Sequence, residues 1–379
     1  MAARNTVIVG AGIAGLSCGR RLSDEGVEFT LVSEDIGGRI HPSRDGAQNL
    51  GAYYVMDDYQ HVQRYVKRGR ALNMLGSRVH IGGRSYTPRN WRSLACLPQS
   101  LRLRRLLREF REHYEAFKQA CETTSQAQAI RADPFLWDLY RGSASDLIRK
   151  HRIESFVETF AAPGLHGSTF LPVHRLSGFV FLQFTLPMIV PIYEFSFQKD
   201  AMIAGFEDSI RLGSVARIER DGDAHRLELD GGEVMHARNL VVATPVDVSR
   251  RLLKLGPMKA PVRAHMFHVE GTLGPAFARE TIHLFGQTDS MLAISRHENG
   301  SILLCSHDED PDFERFFAQH RVLDHHHWDP AFNLEGDTLL ECEQGENLYL
   351  IGDGNVCGLE DSFITGLYAA NRILGRADG

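Results

Sequence analysis

The N-terminal part of the chain carries a strand, a glycine-rich turn, a helix and a second strand in direct succession. Val7–Val9 is a short β-branched run that leads into the sequence G-A-G-I-A-G at residues 10–15. A helix-compatible stretch follows to about Glu25, and after Gly26 residues 27–32 alternate like a second strand. A glycine turn that follows a strand and opens a helix predicts a Rossmann-type βαβ unit that binds a dinucleotide.

Each glycine of this turn has its own task in such a unit. Gly10 permits the tight turn, Gly12 lets the backbone approach a pyrophosphate, and Gly15 lets the helix pack closely on the strand. We expect the start of the helix, at Ile13 and Ala14, to offer free N–H groups and a positive dipole end to the phosphates. The competing interpretation is a glycine-rich turn without a ligand.

The acidic residue that usually holds the adenosine ribose is displaced in this chain. The usual spacing puts Ser33 at that position, and Glu34 is next. Either side chain can bond a ribose hydroxyl, and we take Glu34 as the displaced ribose ligand. The competing interpretation of Glu34 is an exposed loop acid.

Composition and charge exclude several classes of protein. A chain of 379 residues fits two connected domains better than one simple core. The formal net charge of −6 argues against a nucleic-acid binder, which needs a basic surface. No apolar run reaches the length of about 18 residues that a membrane span needs. The apolar run at residues 6–9 is too short for the core of a signal peptide, so we expect a cytoplasmic protein.

Neither a metal site nor a hydrolase signature is evident. The chain contains no G-x-S-x-G and no H-E-x-x-H motif. Three consecutive histidines at residues 325–327 cannot all face one metal on a regular element. A disulfide framework or a zinc site is not expected, because the six cysteines are scattered without a C-x-x-C pair: Cys18, Cys96, Cys121, Cys305, Cys342 and Cys357.

The segment after the second strand narrows the choice of dinucleotide. Gly37, Gly38 and Arg39 follow that strand almost at once. At this point the chain resembles the flavin amine oxidase superfamily, which includes monoamine oxidases, protoporphyrinogen oxidases and carotenoid desaturases. The resemblance implies that the two glycines let the backbone pass close to FAD and that Arg39 contacts its phosphates, a role that suits the planar guanidinium. The stretch 49–52, N-L-G-A, is similar to a family stretch near the flavin, so Gly51 and Ala52 are candidate FAD contacts.

Two further segments extend the resemblance. Residues 215–245 look like the family's β-meander and its V-V-A-T-P strand, with Val215 against the adenine and Ala243 and Thr244 at the cofactor. Near the C-terminus a strand runs into Gly352 and Asp353 and is followed by a helix. The resemblance implies that Asp353 binds near the ribityl or phosphate groups of FAD. It also implies that the helix, through Asp361 and Ser362, points its N-terminus at the flavin, where it can stabilise negative charge.

The resemblance implies an α/β fold with two discontinuous domains. The first is a Rossmann-type FAD-binding domain with a β-meander, assembled from residues 1–55, 200–255 and 340–379. The second is an α+β substrate domain, assembled from residues 56–199 and 256–339. The stretch 204–211 is shorter than the helix that family members carry before the strand of Val215.

Three segments of the substrate domain have sequence patterns that predict their secondary structure. Gly82 and Gly83 predict a hairpin turn before residues 84–86. Residues 101–111 form a basic amphipathic helix, which either rests its apolar side on the core or lies on a membrane surface. Residues 178–197 are apolar and aromatic, and the alternation at residues 193–197 predicts a strand that forms either a pocket wall or plain core.

The sequence gives fewer indications of the catalytic residues than of the FAD contacts. Many amine oxidases place a lysine in the strand that corresponds to residues 265–274, but Lys259 lies before this strand and none lies within it. Trp328 fits a tryptophan segment that the superfamily carries before its last FAD strand, and a histidine beside it can move protons. The candidates are therefore Trp328, His327 and His265.

The function implied by the resemblance is redox chemistry at FAD on a small molecule of aromatic or lipophilic character. A hydride passes from a substrate carbon to flavin N5 and leaves a C=N or C=C bond. A second hypothesis is a desaturase or protoporphyrinogen-type oxidase with a bulky lipophilic substrate. A third is a flavin-dependent isomerase or mutase, and a fourth is a flavin-binding scaffold without turnover.

Overall fold

The computed structural model describes residues 6–88 and 95–376 and shows a mixed α/β fold. Its strands are β1 (Thr6–Gly12), β2 (Phe29–Gly37), β3 (Val55–Met56), β4 (Val66–Ala71), β5 (Arg78–Ile81), β6 (Arg84–Tyr86), β7 (Ile192–Phe197), β8 (Ile210–Leu212), β9 (Val215–Asp221), β10 (Ala224–Leu229), β11 (Val234–Ala237), β12 (Asn239–Val242), β13 (Ala260–Leu273), β14 (Ile282–Phe285), β15 (Met291–Arg296), β16 (Ile302–Ser306), β17 (Phe317–Glu335), β18 (Glu343–Gly345) and β19 (Leu348–Leu350).

Helices connect these strands, and those between residues 97 and 185 form a separate helical layer. They are α1 (Ile13–Asp24), α2 (Leu97–Ala120), α3 (Gln126–Ala132), α4 (Pro134–Arg141), α5 (Ala144–His151), α6 (Glu154–Phe156), α7 (Ala162–Thr169), α8 (Gly178–Thr185), α9 (Lys199–Ile203), α10 (Val246–Leu253) and α11 (Leu359–Leu374).

A six-stranded sheet in the order β18-β19-β12-β1-β2-β8 carries the predicted βαβ unit. β1 pairs in parallel with β12 on one side and with β2 on the other, and only the edge strand β18 is antiparallel. Val7 and Val9 pack with Leu227 of the meander β9–β11, whereas Ile8 packs with Leu16 of α1. The β-branched run is therefore buried on both faces, as expected for a parallel sheet. The predicted Rossmann-type unit and the predicted β-meander are both confirmed.

Helices α1 and α11 cross closely on one face of this sheet. A Cβ atom on Gly366 would lie 2.0 Å from Ser17 Oγ and 2.1 Å from the carbonyl oxygen of Ala14. The Ser17 hydroxyl donates to the carbonyls of Ala14 and Phe363, both at 2.8 Å. This contact, which only glycine permits, holds the N-termini of the two helices beside each other.

The second large sheet has seven strands in the order β17-β13-β16-β15-β14-β5-β6. Its pairs are antiparallel except for β14 with β5. The long strands β13 and β17 run beside each other over most of their length. The predicted hairpin at Gly82 and Gly83 is confirmed, because it joins β5 to β6.

The predicted amphipathic helix is the first part of α2. Its apolar side chains Leu103, Leu106, Leu107 and Phe110 are all buried in one core cluster with residues of α4 and α8. The apolar side of the helix therefore packs inside the protein, as the first of the two interpretations proposed. Leu97 and Leu101, at its N-terminal end, are 50% and 58% exposed.

The aromatic segment 178–197 divides into a helix, α8, and a strand, β7. β7 pairs with β3 and β4 in a small three-stranded sheet, so the strand predicted at residues 193–197 is confirmed. The short stretch 204–211 contains one 3₁₀ turn at Glu207–Ser209 and the start of β8, which pairs in parallel with β2.

Within residues 6–88 and 95–376, no helix combines the length and the apolar character that crossing a membrane requires. The division into two discontinuous domains stays a prediction, and its residues 1–5, 89–94 and 377–379 lie outside the described residues.

Candidate active site

A cavity of about 520 Å³ begins at the carboxyl ends of β1 and β2 and extends to a chamber between α2, α8 and the strands β13 and β17. Ligands in open α/β sheets bind at this end of the strands. Every predicted FAD contact except Gly15 lines this cavity: Gly10, Gly12, Ile13, Ala14, Ser33, Glu34, Gly37, Gly38, Arg39, Gly51, Ala52, Val215, Ala243, Thr244, Gly352, Asp353, Asp361 and Ser362.

Gly15 has the packing role that the motif predicts for it. A Cβ atom at this position would lie 1.9 Å from the carbonyl oxygen of Gly10. Gly10 itself has φ of 106°, and a Cβ there would lie 2.6 Å from the carbonyl oxygen of Ala243. Both glycines therefore allow β1, α1 and β12 to approach one another.

The start of α1 is open toward the cavity. Gly12 is its N-cap residue and supplies no side-chain bond to the first turn, which contains no acidic residue. A Cβ atom on Gly12 would have no atom within 4 Å. The N–H group of Ala11 is satisfied by Ser33 Oγ at 3.0 Å. Free N–H groups, the positive helix end and open space together suit an anion such as a pyrophosphate.

Two predicted FAD contacts form an ion pair along the cavity wall. Arg39 Nη1 lies 2.5 Å from Asp353 Oδ2 and donates to the carbonyl oxygen of Ala331 at 2.9 Å. Burial alone raises the pKa of Asp353, but the Arg39 guanidinium outweighs it and holds this pKa below its ordinary value. The pair joins the loop after β2 to the loop after β19.

The end of the cavity beside β2 contains the two candidates for the ribose. Ser33 already accepts a hydrogen bond from the glycine turn. Glu34 is exposed and accepts a hydrogen bond from Ser214 Oγ at 2.5 Å. Both side chains line the cavity, so the geometry accommodates either choice.

The far end of the cavity is an aromatic chamber that the sequence did not predict as a unit. Its lining includes residues with hydroxyl and amide groups, namely Tyr53, Tyr54, Tyr59, Tyr114 and Gln183. It also includes the apolar side chains of Phe170, Phe184, Met266 and Phe332. Of the aromatic segment 178–197, only Gln183 and Phe184 line the cavity.

Phe170 has a strained backbone at this wall. Its φ of 60° lies in the left-handed region, which is rare for a bulky residue. Its ring lies 5.5 Å from that of Phe332, measured between centroids. Phe170 is the C-cap residue of α7, where this conformation lets its N–H donate to the carbonyl oxygen of His166 at 3.0 Å.

Trp328, a predicted catalytic residue, lines the cavity together with two histidines, His41 and His326. The rings of His326 and Trp328 lie 4.0 Å apart, and those of His41 and His326 lie 4.5 Å apart. Burial, and after it the proximity of His41, lowers the pKa of His326, so this imidazole is neutral near pH 7. Trp328 Nε1 donates to the carbonyl oxygen of Leu50 at 2.5 Å, which fixes the indole beside Gly51.

The remaining two catalytic candidates, His265 and His327, do not line the cavity. Their rings stack on each other at 4.2 Å on the opposite face of the sheet. Successive side chains of a strand point to opposite faces. Because Met266, His326 and Trp328 face the cavity, their neighbours face away. The same alternation identifies His326 once Trp328 is assigned to the cavity.

No lysine of the described residues lines the cavity. Lys259 is buried outside it, where its Nζ donates to the carbonyl oxygen of Asn355 at 2.7 Å and lies 4.4 Å from the centroid of the Tyr140 ring. Burial lowers its pKa to about 8.

All six cysteines are buried free thiols. Cys357 lines the cavity, and burial raises the pKa of its thiol, so it does not form a thiolate at neutral pH. Among residues 6–88 and 95–376, no three His, Cys, Asp or Glu side chains are grouped to hold a metal ion.

Comparison with known proteins supports the fold. Residues 8–68 match the model of an NAD(P)-binding Rossmann-like domain. No curated protein matches the sequence significantly.

Solved structures match over nearly the whole chain. Putrescine oxidase with putrescine bound has 14% identity and a TM-score of 0.65, and the match covers 98% of this chain and 99% of that one. A redesigned double mutant of the same oxidase gives the same values. Reduced UDP-galactopyranose mutase has 14% identity and a TM-score of 0.63, with 99% and 94% of the two chains covered. The fold implied by the resemblance to the flavin amine oxidase superfamily is thus confirmed.

Proposed function

We propose that this chain is an FAD-dependent oxidoreductase that removes a hydride from a carbon atom of a small organic substrate. One observation carries the proposal. A single cavity joins the open N-terminus of α1, where a pyrophosphate fits, to a chamber lined by aromatic side chains.

The residues along the cavity fit an extended FAD. Gly10, Gly12 and the first turn of α1 would hold the pyrophosphate, and Glu34 and Val215 would hold the adenosine end. The ion pair of Arg39 and Asp353 would lie along the phosphate and ribityl groups. The space above Gly12, which a side chain would fill, is the observation that supports close contact with the cofactor.

FAD, when bound, supplies a hydride acceptor at flavin N5. The chain itself has to bind the substrate, orient its C–H bond and keep water out. Phe170, Phe184 and Phe332 offer an apolar surface for these tasks, and the hydroxyl groups of Tyr54 and Tyr59 offer hydrogen bonds that orient the molecule. The substrate that fits this surface is aromatic or lipophilic, with at least one polar group.

Amine oxidation to C=N is the leading reaction, and desaturation of a bulky lipophilic substrate to C=C is the second candidate. One observation specifically favours the second candidate, because no lysine among residues 6–88 and 95–376 lines the cavity. A mutase reaction and a scaffold without turnover are the competing functions from different classes.

The test starts from the purified protein and its absorption spectrum. We expect flavin bands, either as purified or after incubation with FAD, and their bleaching under anaerobic conditions by an amine or a lipophilic alkene. Hydrogen peroxide formed on readmission of air would identify an oxidase, whereas a desaturase would need another acceptor. A protein that never acquires flavin bands would contradict the proposal, and flavin that no compound bleaches would favour the mutase or the scaffold. The cytoplasmic location stays a prediction that cell fractionation tests.

A further inference from the structure

Asp361 is a buried carboxyl group without a cationic partner. It lies in the first turn of α11, lines the cavity and is 2% exposed. Its Oδ1 accepts a hydrogen bond from the Tyr114 hydroxyl at 2.6 Å. In the part of the chain that the structure describes, no Lys, Arg or His nitrogen lies within ion-pair distance of it. A buried carboxylate without a counter-charge holds a proton more readily than one in water.

The charged groups around Asp361 are already engaged. Lys118 Nζ pairs with Glu115 at 2.7 Å and lies 5.0 Å from the centroid of the Tyr114 ring. Glu360 accepts hydrogen bonds from three successive backbone N–H groups at residues 60–62. The remaining titratable neighbours are phenols and thiols whose pKa burial raises: Tyr59, Tyr114, Cys121 and Cys357.

The buried position of Asp361 acts directly on the proton affinity of its carboxyl group. Burial raises its pKa to about 7, against the weaker opposing effects of the Tyr114 hydrogen bond and of Lys118. The carboxyl is therefore divided between its two forms at physiological pH.

A directed chain of hydrogen bonds positions this carboxyl. Gln183 Nε2 donates to the Tyr114 hydroxyl at 2.9 Å and to the carbonyl oxygen of Cys357 at 2.6 Å. Tyr114 then donates to Asp361. Gln183 Oε1 has no partner although the residue is only 7% exposed, so a polar acceptor is left over at the same wall.

The second carboxyl oxygen lies close to the backbone of Gly358, the residue before α11. A Cβ atom on Gly358 would lie 2.2 Å from Asp361 Oδ2. Oδ2 therefore occupies the space that a side chain at Gly358 would need, and the carboxyl group keeps its place in the lining of the cavity.

We propose that Asp361 is the proton acceptor of the cavity, and that Tyr114 and Gln183 are its positioning residues. This inference rests on the FAD of the proposed function. One C–H bond of the substrate breaks and its hydride passes to flavin N5, so FAD is reduced by two electrons. The adjacent N–H or C–H bond gives its proton to the Asp361 carboxylate, its electron pair forms the C=N or C=C bond, and Asp361 becomes a neutral carboxylic acid.

Proton uptake by Asp361 on reduction of FAD can be measured without a substrate. Reduction adds negative charge to the cavity, and a nearby negative charge raises the proton affinity of a carboxyl group. Reduction of the bound FAD therefore draws a proton onto Asp361 at pH values above its pKa in the oxidised protein. Below that pKa the proton is already present, so no extra uptake occurs.

The experiment is a redox titration of the FAD-loaded protein at pH values from 6 to 8.5. One additional proton per two electrons changes the equilibrium constant tenfold per pH unit, which is about 30 mV. We expect the slope of the midpoint potential to become steeper by about this amount above roughly pH 7. Asp361→Asn, which keeps the size of the side chain and an acceptor for Tyr114, is expected to lose the additional slope.

Two further variants separate proton transfer from structure. Tyr114→Phe removes a hydrogen bond that favours the ionised carboxyl, so the onset of the steeper slope is expected to move to higher pH. His326→Gln removes a titratable histidine from the chamber wall and is expected to keep the slope of the wild type. Flavin absorption measured in parallel shows that each variant is loaded.

The inference is overturned if the wild type shows no additional slope, if Asp361→Asn keeps it, or if His326→Gln loses it. Loss of the slope in His326→Gln would show that His326, and not Asp361, takes up the additional proton. A wild-type chain that binds no FAD overturns the proposed function and this inference together, whereas bound FAD with an unchanged slope overturns this inference alone.

Discussion

Gly12 and Gly15 belong to the same motif, yet the structure gives them different roles. A methyl group on Gly15 meets the Gly10 carbonyl at 1.9 Å, whereas one on Gly12 meets no atom within 4 Å. We expect Gly15→Ala to lower the free energy of unfolding of the FAD-free protein by about 1–3 kcal/mol, a typical cost of overpacking. Gly12→Ala should change it by less than about 0.5 kcal/mol but should weaken FAD binding at least tenfold.

Chemical unfolding of the FAD-free variants and titration with FAD, followed by flavin fluorescence, measure the two quantities separately. Wild-type FAD affinity in Gly12→Ala would show that the open space above this residue is not the cofactor site.

The raised pKa of Asp361 also predicts how the free energy of unfolding depends on pH. Its pKa is about 7 in the folded protein, against 3.8 for an ordinary aspartate. Between these values the folded chain holds a proton that the unfolded chain has lost, so this residue reduces stability as pH rises from about 4 to 7 and has no further effect above. The free energy of unfolding of Asp361→Asn, relative to wild type, should therefore increase across this range by about 1.4 kcal/mol for each pH unit. Urea unfolding at several pH values measures it, and a constant difference would contradict the assignment.

At the level of single residues, the sequence predicted positions that follow from backbone geometry. Gly10, Gly37 and Gly352 have positive φ values of 106°, 123° and 118°, conformations that glycine adopts most readily. Side chains on the long strands were harder to predict. The sequence predicts His327 as a partner of Trp328, whereas the alternation of β17 places His326, and not His327, on the cavity side with the tryptophan.

Among the secondary-structure elements, the close crossing of α1 and α11 is expected to affect both stability and FAD binding. The N-termini of both helices line the cavity through Ile13 and Leu359. A methyl group on Gly366 would lie 2.0 Å from Ser17 Oγ and 2.1 Å from a backbone carbonyl oxygen, well inside van der Waals contact. We expect Gly366→Ala to separate the helices, to cost about 1–3 kcal/mol of stability and to weaken FAD binding as well.

Gly231→Ala is the matched control, because a Cβ atom on that turn glycine meets nothing within 4 Å. Thermal unfolding and FAD titration of the two variants provide the comparison. Equal behaviour of the two would show that the helices can move apart without consequence.

Elements that are defined by contiguous residues could be predicted from the sequence. The contacts between elements that are far apart in the sequence could not. The βαβ unit is read from contiguous residues, since strand, turn and helix follow one another. The wall of the chamber combines Tyr114 of α2 with Gln183 of α8 and Met266 of β13, which are far apart in sequence. Nothing in the local pattern of any one of them indicates the remaining two, because their meeting depends on how the helical layer packs against the second sheet.

For the whole molecule, the position of the cavity would link binding of the proposed FAD to global stability. Its walls come from the six-stranded sheet, from the helical layer and from β13 and β17 of the second sheet. A ligand that spans the cavity therefore binds only when these layers are assembled, and it stabilises the folded state by about 2.7 kcal/mol at 100 times its dissociation constant.

We expect FAD to raise the free energy of unfolding by about 1.4 kcal/mol for each tenfold increase above the dissociation constant, with circular dichroism and flavin fluorescence reporting one common transition. ADP, compared at the same multiple of its own dissociation constant, should stabilise the protein equally by mass action, but it occupies only the end at the glycine turn. The aromatic chamber should then stay accessible, so a dye that binds apolar cavities should be displaced by FAD and not by ADP. Two separate transitions with FAD would contradict a cofactor that bridges the layers, because one layer would then unfold while the other still held the flavin.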